Sequence, residues 1–285
     1  MIDRKGVFTF LAITFTLTYG AEGALIASGF RITDLPPAYG QFIIAGVMWV
    51  PALATVLTVK LVNREGFGAT NLRFGPWQPY LKTALTIPAG FALIYAFTWL
   101  FGLGSPDWEL AQLRDMLAAS GADTAQMPAP ATIILMTVLS TLIVAPFINT
   151  VFAFGEELGW RGYLLPKLMP LGKPKAYALL GLIWGIWHAP LVWIGFNYPG
   201  YPLLGIIWMI ALMTGLGAYI NELSLRHRSS ILAAWMHGVF NSQGYGIWRL
   251  LFPDVNPLWG GMTGLVAIVV WLGLGVWEAQ QEKQQ

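Results

Sequence analysis

Residues 131–155 read ATIILMTVLSTLIVAPFINTVFAFG, a run of 25 amino acids that contains no charged side chain. A helix needs about 20 mostly apolar residues to cross the hydrocarbon core of a bilayer. Backbone groups in hydrocarbon must also find their hydrogen bonds within the segment or within a closed barrel. The length and continuity of the run predict a transmembrane helix rather than one of the ~10-residue alternating strands of a barrel.

Apolar runs of the same kind lie on both sides of this segment. We predict eight spans, near residues 6–30, 38–59, 83–103, 131–155, 176–198, 203–221, 231–248 and 257–277. The predicted fold class is therefore all-α, a polytopic transmembrane helix bundle. No internal repeat or low-complexity linker is visible, which predicts a single membrane domain over residues 1–285.

The composition supports a membrane protein and excludes several other classes. Apolar residues make up 56% of the chain and charged residues only 11%, with a mean hydropathy of +0.61, whereas soluble domains are about 25% charged. The absence of Cys excludes a disulfide scaffold. A net charge of +2 without a dense basic run argues against a nucleic-acid partner. The lipid bilayer is the predicted environment, and fourteen Trp fit its aromatic belts.

Basic residues are distributed unequally between the two sets of span ends. Thirteen of the sixteen Lys and Arg residues lie at one set of ends, and the other set carries Arg31, Arg114 and Arg249. Since basic residues accumulate in cytoplasmic loops, both termini are predicted to be cytoplasmic. The short loops favour a multi-pass protein of a bacterial or archaeal cytoplasmic membrane.

The largest loop on the opposite side covers residues 104–130 and is acidic. It contains an apolar stripe at Leu110, Leu113 and Leu117, which predicts a short helix at the outer interface. Asp107 precedes this stripe and is predicted to cap the helix.

Ionisable side chains within the spans are the candidate functional residues. Each costs roughly 2.5–3.5 kcal/mol at the centre of an inserting helix, so those that persist are functional candidates by default. Four places qualify: Glu22, the segment 156–161, His188, and His237 with Asn241.

The segment 156–161 reads EELGWR and directly follows the quoted run. If the helix continues through Arg161, Glu157 and Arg161 are four residues apart in the favourable order for an ion pair. Glu156 then points about 100° away and projects separately into the bundle. The alternative is that both acids mark only the cytoplasmic end of a helix.

Two further helices contribute polar side chains at membrane depth. His188 follows Trp184 by one turn and precedes Pro190, and His237 shares a helix face with Asn241. The alternatives are a hydrogen-bonded packing role for His188 and interhelical hydrogen bonding for His237 and Asn241. Together with residues 156–161, however, these side chains form the set that amide hydrolysis needs: a base that takes a proton from water, and donors that face an oxyanion.

These motifs, in this order, resemble the CAAX prenyl protease type II family of intramembrane endopeptidases, whose bacterial branch is called CPBP. Residues 156–161 match its E-E-x-x-x-R motif, residues 237–241 match H-x-x-x-N, and residues 184–188 match F-x-x-x-H with Trp in place of Phe. The resemblance covers the catalytic motif region 156–241. It implies an enzyme, a protease that cleaves a membrane-associated or lipid-modified peptide or protein.

The resemblance also implies a role for each matching residue. Glu156 with His188 would activate the attacking water, and His237 with Asn241 would stabilise the oxyanion. Glu157 and Arg161 would form a supporting pair, and Trp184 would line the cavity. The predicted catalytic residues are Glu156, Glu157, His188, His237 and Asn241, with Arg161 and Trp184 in support.

The sequence leaves the use of a metal open. Glu156, His188 and His237 would supply the three ligands of a catalytic zinc site, yet the chain has no H-E-x-x-H motif. We assign no metal and favour a glutamate/histidine site without a cofactor over a zinc site.

Two other functions fit the same residues. One is a non-proteolytic membrane protein that binds a peptide or confers bacteriocin immunity. The other is a proton-coupled transporter, with Glu22, Glu156 and Glu157 as relay groups. Glu22 is predicted in the outer half of the first span, away from Glu156, with Arg249 as its candidate partner.

Overall fold

The computed structural model describes residues 2–29 and 45–282, whose regular structure is helical apart from one isolated β-bridge between Gly104 and Val255. The predicted all-α class is confirmed. The helices of five or more residues are α1 (Arg4–Ala27), α2 (Val50–Leu57), α3 (Gln78–Leu100), α4 (Ala111–Ala119), α5 (Pro130–Leu139), α6 (Ala145–Glu157), α7 (Lys173–Trp187), α8 (Ala189–Trp193), α9 (Pro202–His227), α10 (Ser230–Tyr245), α11 (Ile247–Leu251) and α12 (Leu265–Glu282).

Five helical segments of the described chain are long and apolar enough to cross a membrane, which confirms a polytopic membrane protein. They are Arg4–Ala27, Ala45–Asn63, Gln78–Leu100, Pro130–Leu171 and Pro202–His227. The helices α7 and α10, with 15 and 16 residues, are shorter. The count of eight spans and the cytoplasmic termini stay predictions. The predicted start of the second span and Arg31 lie outside the described residues.

The quoted stretch forms the first part of a 42-residue helical segment, Pro130–Leu171. The helical segment, called the long rod below, continues past residue 155, where the predicted span ends, and includes Arg161. Two π-helical turns interrupt it, Ser140–Val144 and Leu158–Leu164, each ending two residues before a proline, Pro146 or Pro166. Proline lacks an N–H and clashes with the carbonyl four residues earlier. The wider turns accommodate both effects without breaking the rod.

The predicted fifth span, 176–198, is wrong as a continuous helix. The helix α7 ends at Trp187, and α8 stops at Trp193, before Gly195 at a φ of 101°. The cause is Pro190, which cannot donate to the carbonyl of Ile186. That carbonyl accepts a hydrogen bond of 2.5 Å from the Tyr19 hydroxyl instead. The break places His188 at the joint between two helices.

Two glycines allow helices to approach closely beside the candidate site. A Cβ on Gly185 of α7 would lie 2.5 Å from the Cα of Ile210 on α9, and one on Gly238 of α10 would lie 2.5 Å from the backbone nitrogen of Thr150 on α6. Since real side-chain atoms do not approach backbone this closely, only glycine fits at these crossings. Gly185 directly follows Trp184, and Gly238 directly follows His237, so both crossings lie beside candidate site residues.

Many of the basic residues predicted to be cytoplasmic are tied by ion pairs or hydrogen bonds. Lys167 pairs with Asp3 at 3.2 Å, and Lys173 pairs with Glu222 at 3.0 Å. Arg226 and Lys82 both pair with Glu278 of α12. These contacts join the N-terminus of α1, the end of the long rod and the C-terminal ends of α9 and α12.

The helix in the acidic loop forms as predicted. It is α4, which begins at Ala111, and the carboxylate of Asp107 accepts a hydrogen bond of 3.0 Å from the backbone N–H of Gln112. Asp107 therefore satisfies one of the free N–H groups at the start of the helix.

Candidate active site

The ion pair predicted within the segment 156–161 is formed and fully buried. Glu157 accepts hydrogen bonds of 2.8 and 2.9 Å from the Nη1 of Arg161, and neither side chain is exposed to solvent. The Nδ1 of His237 on α10 also lies 2.9 Å from the Oε1 of Glu157. Because a carboxylate only accepts hydrogen bonds, Nδ1 is the donor, and the contact fixes the orientation of the imidazole.

Arg161 extends this network to two other helices. Its Nε donates to the Oδ1 of Asn221 on α9 at 2.9 Å, and its guanidinium lies 4.1 Å from the ring centroid of Trp184 on α7. Its Nη2 is buried without a hydrogen-bond partner among the described residues. Asn221 was missed in the sequence, although the adjacent polar residues Asn221 and Glu222 at the end of the predicted span 203–221 were a usable signal.

Glu156 occupies a different environment from its neighbour. Its Oε2 accepts hydrogen bonds from two indoles, Trp184 Nε1 at 2.7 Å and Trp160 Nε1 at 3.2 Å. Its Oε1 has no partner among the residues that the structure describes. The side chain is 2% exposed, so one carboxylate oxygen is held by the protein and the other remains available to a small ligand.

One ring nitrogen of His188 is also fixed by the protein, at the break between α7 and α8. Its Nδ1 lies 2.8 Å from the backbone oxygen of Trp184, and since a carbonyl only accepts, Nδ1 carries the hydrogen. In the neutral imidazole this tautomer leaves a lone pair on Nε2. The ring is flanked by Trp187, with centroids 4.8 Å apart, and lies parallel to Phe196 at 6.3 Å.

Trp184 connects the three groups. Its indole donates to Glu156, its carbonyl accepts from His188, and its ring centroid lies 5.5 Å from that of His237 in an edge-to-face arrangement. Glu156, His188 and His237 therefore share one pattern: one polar atom is fixed by the protein, and another has no partner among the described residues. The three side chains come from three different helical segments, the long segment Pro130–Leu171, the joint after α7, and α10.

Asn241 lies one turn after His237 on α10, so the two side chains share a helix face as the spacing predicts. Its side chain is half-buried, and within the described part of the chain its amide makes no hydrogen bond. An amide in this position can still donate to a ligand.

The residues proposed as conditional zinc ligands do not form a metal cluster. Among the described residues, no group of three or more His, Asp or Glu has an arrangement that could hold a metal ion. Glu156 Oε2 and the Nδ1 atoms of both histidines are engaged by protein groups instead. These contacts leave Glu156 Oε1 and the Nε2 atoms of the two histidines without a partner among the described residues, and the choice between a metal and a metal-free site stays a prediction.

The predicted pairing of Glu22 with Arg249 is wrong. The Glu22 side chain is 1% exposed, and neither carboxyl oxygen has a partner among the described residues. The helix α1 packs instead against the helix break, where Trp187 Nε1 donates to Thr18 Oγ1 at 2.9 Å. Glu22 follows Thr18 by one turn.

Comparison with known proteins agrees with the motifs. Residues 131–243 match the family described as Type II CAAX prenyl endopeptidase Rce1-like. A protein of Methanococcus maripaludis named CAAX prenyl protease 2 is 32% identical over 93 residues, which cover 31% of this chain and 34% of that protein. The chain thus aligns with about a third of the length of that relative. The family resemblance is confirmed over the segment that carries the motifs.

Proposed function

We propose that this protein, whose segment 131–243 is Rce1-like, is an intramembrane endopeptidase of the CAAX type. It would hydrolyse a peptide bond in a membrane-associated or lipid-modified substrate. The observation that carries the proposal is the common pattern of Glu156, His188 and His237. A group that must bind water or an oxyanion needs one atom fixed for orientation and another free to react.

Glu156 and His188 are the groups that activate water. The free Oε1 of Glu156 accepts a hydrogen from a water molecule, and the Nε2 lone pair of His188 is the second acceptor. The water oxygen attacks the carbonyl carbon of the scissile bond as one of these groups takes its proton. The same proton then passes to the amide nitrogen as the carbon–nitrogen bond breaks, which releases an amine and a carboxyl product.

His237 and Asn241 are the groups that stabilise the tetrahedral intermediate. Glu157 holds the Nδ1 of His237, so Nε2 is the ring atom that donates to the oxyanion when the imidazole is protonated. The unengaged amide of Asn241, one turn along α10, supplies a second donor. Removing one such donor from an acyl-transfer enzyme costs about 10²–10³ in kcat.

The proposed substrate class comes from the name of the Methanococcus relative. A CAAX sequence ends in a prenylated Cys and three further residues, and a protease of this type would release the last three. A lipid-modified C-terminus reaches a site at membrane depth without leaving the bilayer, which suits a site formed by membrane helices. By the distribution of basic residues we place the site toward the cytoplasm.

We propose that the reaction proceeds through glutamate and histidine, and we derive no step through a metal. The absence of an H-E-x-x-H motif from the sequence supports this choice. Purified enzyme is expected to retain its activity after chelation. Stoichiometric zinc that is lost together with activity would contradict the proposal.

The test is cleavage of a farnesylated peptide ending in Cys-Val-Ile-Met by the purified protein in detergent. Glu156→Gln is expected to reduce kcat at least about 10²-fold, since general acid–base groups contribute 10²–10⁴-fold. Glu278→Gln is the matched control, because Glu278 is also fully buried but is paired with Arg226 and Lys82. This control is expected to cleave normally. A Glu156→Gln variant that cleaves at the wild-type rate would remove the proposed mechanism, and peptide binding without cleavage by wild type would favour a binding protein.

A further inference from the structure

One face of α1 is buried, and its outer half is polar. The buried residues recur every four positions: Gly6, Phe10, Thr14, Thr18 and Glu22. Residues four apart lie one above another on a helix, so they form a single stripe directed into the bundle. The stripe begins with apolar contacts, since Phe10 packs edge-to-face on Trp160 at 5.7 Å. The next three positions carry hydroxyl and carboxyl groups.

Among the described residues, only one of these three polar side chains has a partner. Thr18 accepts a hydrogen bond from Trp187, whereas the hydroxyl of Thr14 and both carboxyl oxygens of Glu22 are buried without a hydrogen bond to any described group. Several buried helical threonines donate to the carbonyl four residues earlier, as Thr55 and Thr83 do at 2.8 Å, although Thr58, like Thr14, does not. Thr14 therefore forgoes a bond that its position offers, and Glu22 bears the cost of an uncompensated buried carboxyl group.

The unpaired groups lie on the same stripe as two residues that contact the surroundings of the candidate active site. Thr14 lies between Phe10, which packs on Trp160, and Thr18, which accepts from Trp187, and Glu22 follows Thr18 by one turn. Trp160 donates to Glu156, and the ring of Trp187 lies 4.8 Å from that of His188. A single indole thus separates the stripe from Glu156 and from His188, which places its polar half beside the candidate active site.

We infer that Thr14 and Glu22 bind the backbone of the substrate peptide, with a carboxyl oxygen of Glu22 accepting a substrate N–H. This inference rests on the proposed function and deepens it. An extended peptide at membrane depth has N–H and C=O groups that neither water nor a helix satisfies. A protein that binds such a peptide must supply the missing partners. Among the described groups of α1, Thr14 and Glu22 are buried and still have that capacity.

The first arm of the test measures stability without substrate. Glu22→Leu removes an unsatisfied buried carboxyl and is expected to raise the Tm of the purified protein. Thr18→Val is the matched control on the same stripe and is expected to lower the Tm, because it deletes the bond to Trp187. A lower Tm for Glu22→Leu would overturn the inference, since it would mean that Glu22 stabilises the fold through a protein partner.

The second arm pairs Glu22→Leu with substrate analogues. The farnesylated Cys-Val-Ile-Met peptide is prepared with an N-methyl on each backbone amide beyond the scissile bond in turn. In wild type, one of these analogues is expected to raise KM about tenfold, the size of one lost hydrogen bond. In Glu22→Leu the KM of the parent peptide is expected to be already about tenfold higher, and the same N-methyl is expected to have no further effect.

The two proposals fail in different ways. If every N-methyl penalty is as large in Glu22→Leu as in wild type, Glu22 does not accept a substrate N–H and the inference is overturned. If Glu156→Gln cleaves the parent peptide normally, the proposed function fails instead. Thr18→Val is expected to retain the wild-type N-methyl penalty, which separates loss of packing on α1 from loss of substrate contact.

Discussion

Glu157 and Glu22 are both completely removed from solvent, with exposed fractions of 0% and 1%, yet their surroundings are opposite. The Glu157 carboxylate makes three contacts of 2.8–2.9 Å with Arg161 and His237. Glu22 makes none. The first lies in the long helical rod and the second on the peripheral helix α1.

The difference distinguishes a carboxylate that orients neighbouring side chains from a carboxyl group that can bind a ligand. A buried charge with good geometry on every side orients its neighbours, and its removal leaves other groups unpaired. A buried carboxyl without a partner costs desolvation free energy that no contact offsets, which makes it a candidate for binding a ligand. Glu156 is intermediate, since its Oε2 is held by two indoles and its Oε1 is free.

We expect the largest loss of stability from a variant that leaves Glu157 buried without its cationic partner. Arg161→Met would remove the cationic partner of Glu157 and leave its charge buried, which costs about 3–5 kcal/mol of stability. Unfolding by urea in detergent measures the loss. The double variant Glu157→Gln/Arg161→Met is expected to recover most of it, because Gln carries no charge and its oxygen still accepts from His237.

Lys167→Met provides the control for this experiment. Lys167 also pairs with a carboxylate, that of Asp3, but the two side chains are 21% and 29% exposed. Ion pairs reached by water contribute about 0–1 kcal/mol, so the control is expected to lose less than about 1 kcal/mol. If Arg161→Met is no more destabilising than Lys167→Met, the distinction between a fully buried ion pair and a solvent-accessible one is wrong.

A smaller effect is expected from removing one of the two hydrogen bonds to Oε2 of Glu156. Trp184→Phe keeps an aromatic ring beside Arg161 but deletes the 2.7 Å hydrogen bond to Oε2. A hydrogen bond to a charged group contributes roughly 1.5–3 kcal/mol, so kcat is expected to fall at least about tenfold with little change in KM. Trp187→Phe loses an equivalent bond to Thr18, and we expect it to lower Tm while kcat is maintained.

Much of the fold followed from the sequence because hydropathy is a long-range signal in membranes. The continuous run 131–155, the i,i+4 spacing of Glu157 and Arg161, and that of His237 and Asn241 depend only on a helix forming, and the described helices carry them. The Asp107 cap followed equally from local rules.

The features that the sequence did not predict correctly depend on contacts between helices. Pro190 breaks the predicted fifth span, and the freed carbonyl of Ile186 finds its partner, Tyr19, in a helix that is remote in sequence. The indole of Trp184 contacts both Glu156 and Arg161, and Gly185 lets α7 approach α9 beside it. The predicted pairing of Glu22 with Arg249 also failed, since the sequence does not show the packing of Thr18 on Trp187.

The smallest expected effect concerns Asp3, the carboxylate at the other end of α1. The backbone N–H of Gly6, followed by Asn63 and Lys167, holds the pKa of Asp3 below its model-compound value of 3.8. An acid whose pKa is lowered in the folded state stabilises that state above its unfolded pKa, and the contribution disappears as pH falls through the folded pKa. Asp3→Asn keeps the helix cap but cannot titrate. We therefore expect wild type to exceed Asp3→Asn in stability by less than about 1 kcal/mol at pH 6, and the difference to be smaller at about pH 3, because it is lost as the pH falls through the lowered folded pKa. Unfolding at both pH values measures it, and a difference that grows on acidification would show that Asp3, like Glu22, is not stabilised by its surroundings.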